Sequence, residues 1–340
     1  LSAFFIISAN SWLQTPFHSL ETLASGIPRA EIDGFHLIQL ADGTSKVIMD
    51  DVLKVIFNPS TVVRFLHTIT ACWLCGAVVM AAVAASHLRK FPTAKTAKRA
   101  LAIAVTIGVV TSIAQPLLGH QHIMAVLEWQ PAKNAAMEGI FKTQRYAPLY
   151  ALGIVDETNR VTYGIGMPAG LSFFEGLRFD TEVKGLDDVL AEGQALAAAN
   201  GNPNGSYKSF APPIQAVFQF FHLMVLAGIL MIGGMLLAAF WLWRKKPFKP
   251  WLTLILIAMA PLPFIAVESG WFGTEMGRQP WLVYGLLPVA NGVSPLPMEY
   301  IVFSLVVLCA VWVTLAVMTI RWLPRIIREA KTQFFGTGEE

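Results

Sequence analysis

Pro250-Trp-Leu-Thr-Leu-Ile-Leu-Ile-Ala-Met-Ala-Pro-Leu-Pro-Phe-Ile-Ala-Val-Glu268-Ser-Gly-Trp-Phe-Gly-Thr-Glu-Met-Gly-Arg-Gln-Pro-Trp281 runs from an apolar stretch into a knot of charge. Its apolar part, 250–274, meets the length of about 20 residues that a helix needs to cross a bilayer. Two carboxylates and a guanidinium stand at its far end, where a low dielectric makes ionised groups costly. Charges kept at membrane depth mark pathways, cofactors or relays. The stretch therefore reads as a transmembrane helix that ends in chemistry.

The rest of the chain agrees. Of its 340 residues, 55% are hydrophobic and only 14% charged, and the mean hydropathy is +0.55; soluble domains carry about 25% charged residues. Four more segments, 61–87, 99–118, 213–243 and 299–320, are long and apolar enough to span. The chain opens without Met on a short apolar run, Leu1-Ser-Ala-Phe-Phe-Ile-Ile-Ser-Ala-Asn10, with no basic flank of a signal peptide. That run reads as the last turns of a helix whose start is missing, so the chain is expected to be a fragment. The expected fold is all-α: a polytopic integral membrane helix bundle with five full transmembrane helices and a partial N-terminal one.

Charge orients the spans. The 88–99 connection has five Lys/Arg and no acid, 244–249 has four and no acid, and four more follow from Arg321. Residues 16–60 hold three basic and six acidic residues, and 119–213 hold seven and ten. Excess Lys/Arg marks cytoplasmic connections. The expected layout is a truncated span at 1–15, an outer loop at 16–60, spans within 61–118, a large outer loop at 119–212, spans within 213–320 and a cytoplasmic tail at 321–340. Within the large loop Pro131 suits the first turn of a helix, a second helix is expected at 187–199, and Asn200-Gly-Asn-Pro-Asn-Gly-Ser206 reads as a turn-rich linker. Cys72-Trp-Leu-Cys75 lies inside an apolar helix with no second pair for zinc, so these cysteines, like Cys309, read as small core residues.

With topology in place, depth is read by counting turns. His67, His222, Met224, Glu268 and Glu275, on three helices, fall in one layer near the outer face. Glu268, Trp271 and Glu275 lie within about 60° of one another on their helix, while Gly270, Gly273 and Gly277 cluster opposite and allow close helix approach. His222 and Met224 lie about 200° apart, so only one of them faces a given group. A His/Met pair suits a six-coordinate, electron-transferring haem, whereas a lone carboxylate ligand leaves a sixth position open.

These motifs carry a family resemblance. Gly277-Arg-Gln-Pro-Trp281, Ser8-Ala-Asn-Ser-Trp-Leu-Gln-Thr-Pro16, Asn58-Pro59 leading to Phe65-Leu-His67-Thr, Gln130-Pro-Ala-Lys133 with Glu138, and Phe221-His-Leu-Met224-Val together resemble subunit I of the cytochrome bd-type quinol oxidases, from the first residues to about 320. The resemblance implies that His67 and Met224 ligate a low-spin haem b. It also implies that Glu275 ligates a high-spin haem b with Trp271 and Arg278 close by, and that Lys133 and Glu138 act on quinol. It further implies a haem d or a third haem b, ubiquinol or menaquinol and O2 as substrates, a smaller subunit II, and a bacterial inner membrane with the large loop periplasmic. Nucleic acid is not an expected partner.

Departures bear on this. His222 stands two residues before Met224, where family members carry Arg, so a His67/His222 ligand pair is the rival and support for a haem propionate is in question. The outer loop is short, as in the cyanide-insensitive branch. The first helices, which bear the His of the oxygen-reducing haem, are absent, and His18 and His36 read as surface residues; by itself the chain is not expected to reduce O2. The competing readings are a quinol-binding cytochrome without oxygen chemistry and a haem-free transporter, the latter disfavoured because no inverted repeat or broken-helix pair is evident.

Overall fold

A computed structural model describes residues 1–40, 45–199, 211–245, 248–292 and 296–335. The expected linker at 200–206 lies outside them. In chain order the elements are α1 (Ser2–Gln14), α2 (Leu20–Ser25), α3 (Ala30–Asp33), a hairpin of β1 (Phe35–Gln39) and β2 (Ser45–Met49), and α4 (Val52–Ile56). Then come α5 (Thr61–Leu88), α6 (Lys95–Trp129), α7 (Pro131–Glu138), β3 (Gln144–Arg145), β4 (Leu149–Asp156), β5 (Val161–Met167), α8 (Gly170–Gly176), β6 (Glu182–Val183) and α9 (Leu186–Ala199). The chain continues through α10 (Ile214–Trp243), α11 (Pro250–Ala258), α12 (Leu262–Arg278), β7 (Trp281–Val283), β8 (Leu287–Pro288) and α13 (Met298–Phe335). The fold is mainly helical, and among the described residues five helical stretches are long and apolar enough to cross a membrane: 61–88, 95–129, 214–243, 250–278 and 298–330.

The structure moves several expected boundaries. α6 runs through Gly119-His-Gln-His to Trp129, so the large loop starts at Gln130. Nothing between 119 and 129 breaks a helix, and Pro116 is absorbed within it, as membrane helices allow. α13 runs from Met298 to Phe335, so the basic residues from Arg321 lie on that helix. The 250–278 span breaks at Met259–Pro261 between α11 and α12, next to Pro261 and Pro263. Among the described residues the loops also carry four two-stranded sheets that apolar periodicity does not announce. Pro131 does open α7, and α9 covers the expected 187–199.

The chain forms two compact units. One comprises Trp73–Ser112, Leu230–Pro263 and Val293–Glu340. There, helices close through small residues: a Cβ at Gly108 would meet Met235 Sδ at 2.7 Å, and one at Gly234 would run into Met259. Without a hydrophobic drive in lipid, such close backbone approach is what holds helices together. The apolar window of α13 buries no residue. The cysteines correct the sequence reading: Cys72 and Cys309 are exposed and Cys75 half-buried, all as free thiols. In a bilayer an apolar side chain is as well placed against lipid as in a core.

The other unit comprises Leu1–Cys72, Ile113–Ile229 and Phe264–Gly292. Its core joins Val126, Met137, Phe141, Leu186 and Phe218, from α6, α7, the segment after α7, α9 and α10. β4 pairs antiparallel with β5, and its free edge is met by side chains of α10. Val155 N–H donates to Gln215 Oε1 at 2.7 Å and Gln219 Nε2 donates to Gly153 O at 2.7 Å. His222 Nε2 lies 2.9 Å from Tyr150 O. Residues 215, 219 and 222 share one helix face, so α10 takes the place of a third strand. Gly153 permits this approach, since a Cβ there would lie 3.2 Å from Phe218 Cζ.

Candidate functional site

α7 is short and carries two ionisable side chains inward. Lys133 is 1% exposed, and its Nζ donates to Gln14 Oε1 at 3.1 Å and Gln130 Oε1 at 3.2 Å. Gln130 Nε2 in turn donates to Gln14 O at 2.8 Å. A Cβ on Gly277 would sit 2.9 Å from Lys133 Cγ; the glycine thus leaves room for the lysine stem. Burial, reinforced by the charges of Arg64 and Arg278 and opposed by Glu275, pulls the Lys133 ammonium well below its usual range. A buried lysine tuned this way is suited to proton chemistry.

Beside Lys133 lies a carboxylate clamped from two sides. Asn10 Nδ2 donates to Glu275 Oε1 at 2.7 Å, and Arg278 Nη2 to Oε2 at 2.5 Å. Arg278 Nη1 also bonds Leu282 O, and its buried Nε has no partner among the described residues. Arg64 is buried in the first turn of α5 with Nε on Ser60 Oγ at 3.1 Å. Ser60 belongs to a closed set with Ser11, Thr15 and Asn58 that ties α1 to the start of α5.

On another face of α7, Glu138 is 4% exposed and its Oε2 has no partner among the described residues. Burial, with the like charge of Glu175, pushes its carboxyl up to about 8. One turn earlier, Asn134 Nδ2 donates to Glu175 Oε1 at 2.8 Å, and burial raises Glu175 as well. Lys133 and Glu138 lie about 140° apart around the helix and meet different neighbours. Neither is the solvated surface charge that a loop position usually implies.

The intramembrane residues sort by neighbour. The ring of His67 faces α6. Gln115 Nε2 is 3.3 Å from its Nδ1, 3.2 Å from its Nε2 and 3.3 Å from its backbone O, and the His122 ring lies 5.7 Å away. Met224 faces α12, where a Cβ on Gly270 would meet its Sδ at 2.7 Å. Gly273 lies against Phe220 and Phe221, so the glycine face of α12 receives α10 as its spacing predicts. His222 is buried with Nδ1 2.8 Å from Phe218 O and Nε2 near Tyr150 O. Both nitrogens thus lie within hydrogen-bond distance of backbone carbonyls, and the ring links α10 to β4. Trp271 is 49% exposed and Glu268 is exposed, so the structure does not draw them in to Glu275.

The structure therefore brings Lys133, Glu275 and Arg278 together and sets Glu138 apart with Glu175. It adds Asn10, Gln14, Arg64, Gln130, Asn134 and Glu175, none of which sequence reading assigns a role. Arg64 carried a usable signal, a charge inside an apolar span; Asn10 and Gln14 lie in a quoted motif but gain meaning only from tertiary contact. Arg64, Lys133 and Arg278 share one neighbourhood with a single carboxylate among the described residues. The orphaned Arg278 Nε and the surplus of positive charge fit a group with anionic propionates such as those of a haem, and the His67 imidazole and Met224 thioether are of the ligand types that haem iron takes.

Comparison with known proteins agrees. The family model for cytochrome bd terminal oxidase subunit I matches residues 1–331. The chain is 32% identical over 299 residues to cytochrome bd ubiquinol oxidase subunit 1 of Bacillus subtilis (strain 168), covering 87% of this chain and 58% of that protein. It is 26% identical over 363 residues to cytochrome bd-II ubiquinol oxidase subunit 1 of Escherichia coli (strain K12), covering 92% of this chain and 67% of that one. Among solved structures, the bd oxidase from Geobacillus thermodenitrificans matches with a TM-score of 0.75 and 27% identity, covering 96% of this chain and 67% of that one. The chain thus spans less than two thirds of the Bacillus relative.

Proposed function

The chain belongs to the cytochrome bd terminal oxidase subunit I family, and from that premise we propose that it is the haem-binding part of a respiratory quinol oxidase. In this reading quinol is oxidised at the outer, periplasmic face of the bacterial inner membrane, and O2 is reduced to water by the complete subunit together with a smaller subunit II. The observation that carries the reading is the burial of Lys133 and Glu138 in a loop helix beside the Glu275–Arg278 cluster. Isolated buried charges are expensive, and a fold keeps them where chemistry uses them.

His67 and Met224 are the proposed ligands of a low-spin haem b, and Glu275 of a high-spin one, with Arg64 and Arg278 holding propionates. When bound, b-type haems supply one-electron acceptors, and a third haem, b or d, completes the oxygen chemistry. The residues of this chain do the rest. Lys133, braced by Gln14 and Gln130, directs a hydrogen bond at a quinol oxygen and fixes the ring. Glu138, held near neutrality in its burial, takes a quinol proton once ionised, as a general base near working pH should. Asn10 and Arg278 hold the Glu275 carboxylate in one orientation.

The test is quinol oxidation by the assembled oxidase carrying Lys133→Ala or Glu138→Ala. Turnover with a soluble quinol is expected to fall by about 10²-fold or more, with haem content unchanged. Unchanged turnover would remove the loop from the quinol site.

A further inference from the structure

Glu138 is buried with one oxygen unpartnered, so a proton it accepts needs a way out. Lys133, the other ionisable group of α7, lies on a different face and bonds Gln14 and Gln130. The side chain facing the Glu138 side of α7 is Glu175, from α8. Asn134, four residues before Glu138 and so on its face, donates Nδ2 to Glu175 Oε1 at 2.8 Å, while its own Oδ1 has no partner among the described residues. Glu175 is only half-buried, whereas Glu138 and Asn134 are fully buried. One side of α7 thus gathers a buried carboxylate with an unpartnered oxygen, an amide one turn away and, bonded to that amide, a second carboxylate that is only half-buried.

We propose that Glu175 is the second carboxylate of a proton-release path, receiving the protons that Glu138 removes from quinol and delivering them to solvent. The proposal rests on the reading of Lys133 and Glu138 as the quinol site. Oxidation of one quinol breaks two O–H bonds and removes two electrons. The electrons leave to a one-electron haem acceptor. Each proton in turn passes to the Glu138 carboxylate, then to the Glu175 carboxylate, then to water, so both groups return to their starting charge. Asn134 positions Glu175 and carries no proton.

The sign of the pH effect follows from the pair. Like charge from Glu175 is one cause of the raised Glu138 carboxyl, and the proton-accepting carboxylate populates as pH rises through about 8. Removing the Glu175 charge lowers the Glu138 value, so the rising limb of the rate profile moves to lower pH.

The experiment is steady-state quinol oxidation by the assembled oxidase carrying Glu175→Gln, Glu175→Asp or Asn134→Leu, measured across pH with a soluble quinol. Glu175→Gln is expected to lower kcat roughly tenfold with KM unchanged and its limb displaced to lower pH. Glu175→Asp should restore most of the rate, and Asn134→Leu should lower kcat in part. An unaltered kcat and profile in Glu175→Gln overturns the proposal if Glu138→Gln is slow in the same assay. If Glu138→Gln is also unaltered, the quinol-site reading itself has failed. A reduced-minus-oxidised spectrum matching the parent shows that each variant has assembled.

Discussion

At the scale of single residues, environment decides what each charge can do. Lys133 and Glu138 are five residues apart in one short helix, yet one is drawn toward its neutral amine by burial among cations and the other toward its neutral acid by burial near a carboxylate. Their identities are legible in Gln130-Pro-Ala-Lys133 and Glu138; their burial is not, because it depends on distant partners, Gln14 from the start of the chain for Lys133 and Glu175 from α8 for Glu138. Gly277 illustrates the same limit. Its place in a glycine face is visible from spacing, but the structure shows that it also accommodates the Lys133 stem, at 2.9 Å from a would-be Cβ. Gly277→Leu should therefore displace the ammonium from its quinol-directed position. Since a misplacement of about 1 Å can cost about 10²-fold, kcat/KM for a soluble quinol should fall by at least roughly tenfold while haem content stays at the parental level. Parental kinetics in that variant would show that the lysine position is not set by this contact.

At the scale of elements, the spans were the most legible part of the chain. Apolar length located all five, and only their ends were misjudged, where α6 and α13 run on without a helix breaker. The β4–β5 hairpin escaped sequence reading because its burial does not alternate along either strand, and because its edge is met by Gln215, Gln219 and His222 of a helix. This arrangement separates the two neighbours on α10: His222 serves the loop and Met224 lies against α12. Met224→Leu should convert the low-spin haem spectrum to a high-spin one. His222→Ala should keep the low-spin spectrum and increase proteolysis within 149–167, since each lost buried hydrogen bond weakens the seating of β4 by about 1 kcal/mol. The opposite spectral pattern would place His222 on the iron.

For the whole molecule, the sequence reading and the fold agree on a mainly helical membrane protein, and the family match extends over residues 1–331. What sequence reading lacked was the way α1, the α4–α5 connection, α7 and α12 converge, through Asn10, Gln14, Arg64, Lys133, Glu275 and Arg278. Those contacts join positions as far apart as 10 and 275, and no local pattern encodes them. The proposed low-spin haem b on His67, next to the buried Lys133 and Glu138, is the feature on which the functional reading turns. The most direct measurement is the dithionite-reduced minus oxidised visible spectrum of the assembled oxidase, parent against His67→Ala. The low-spin b-type α-band of the parent is expected to be lost in the variant. An α-band of full intensity in a correctly assembled His67→Ala oxidase would contradict it.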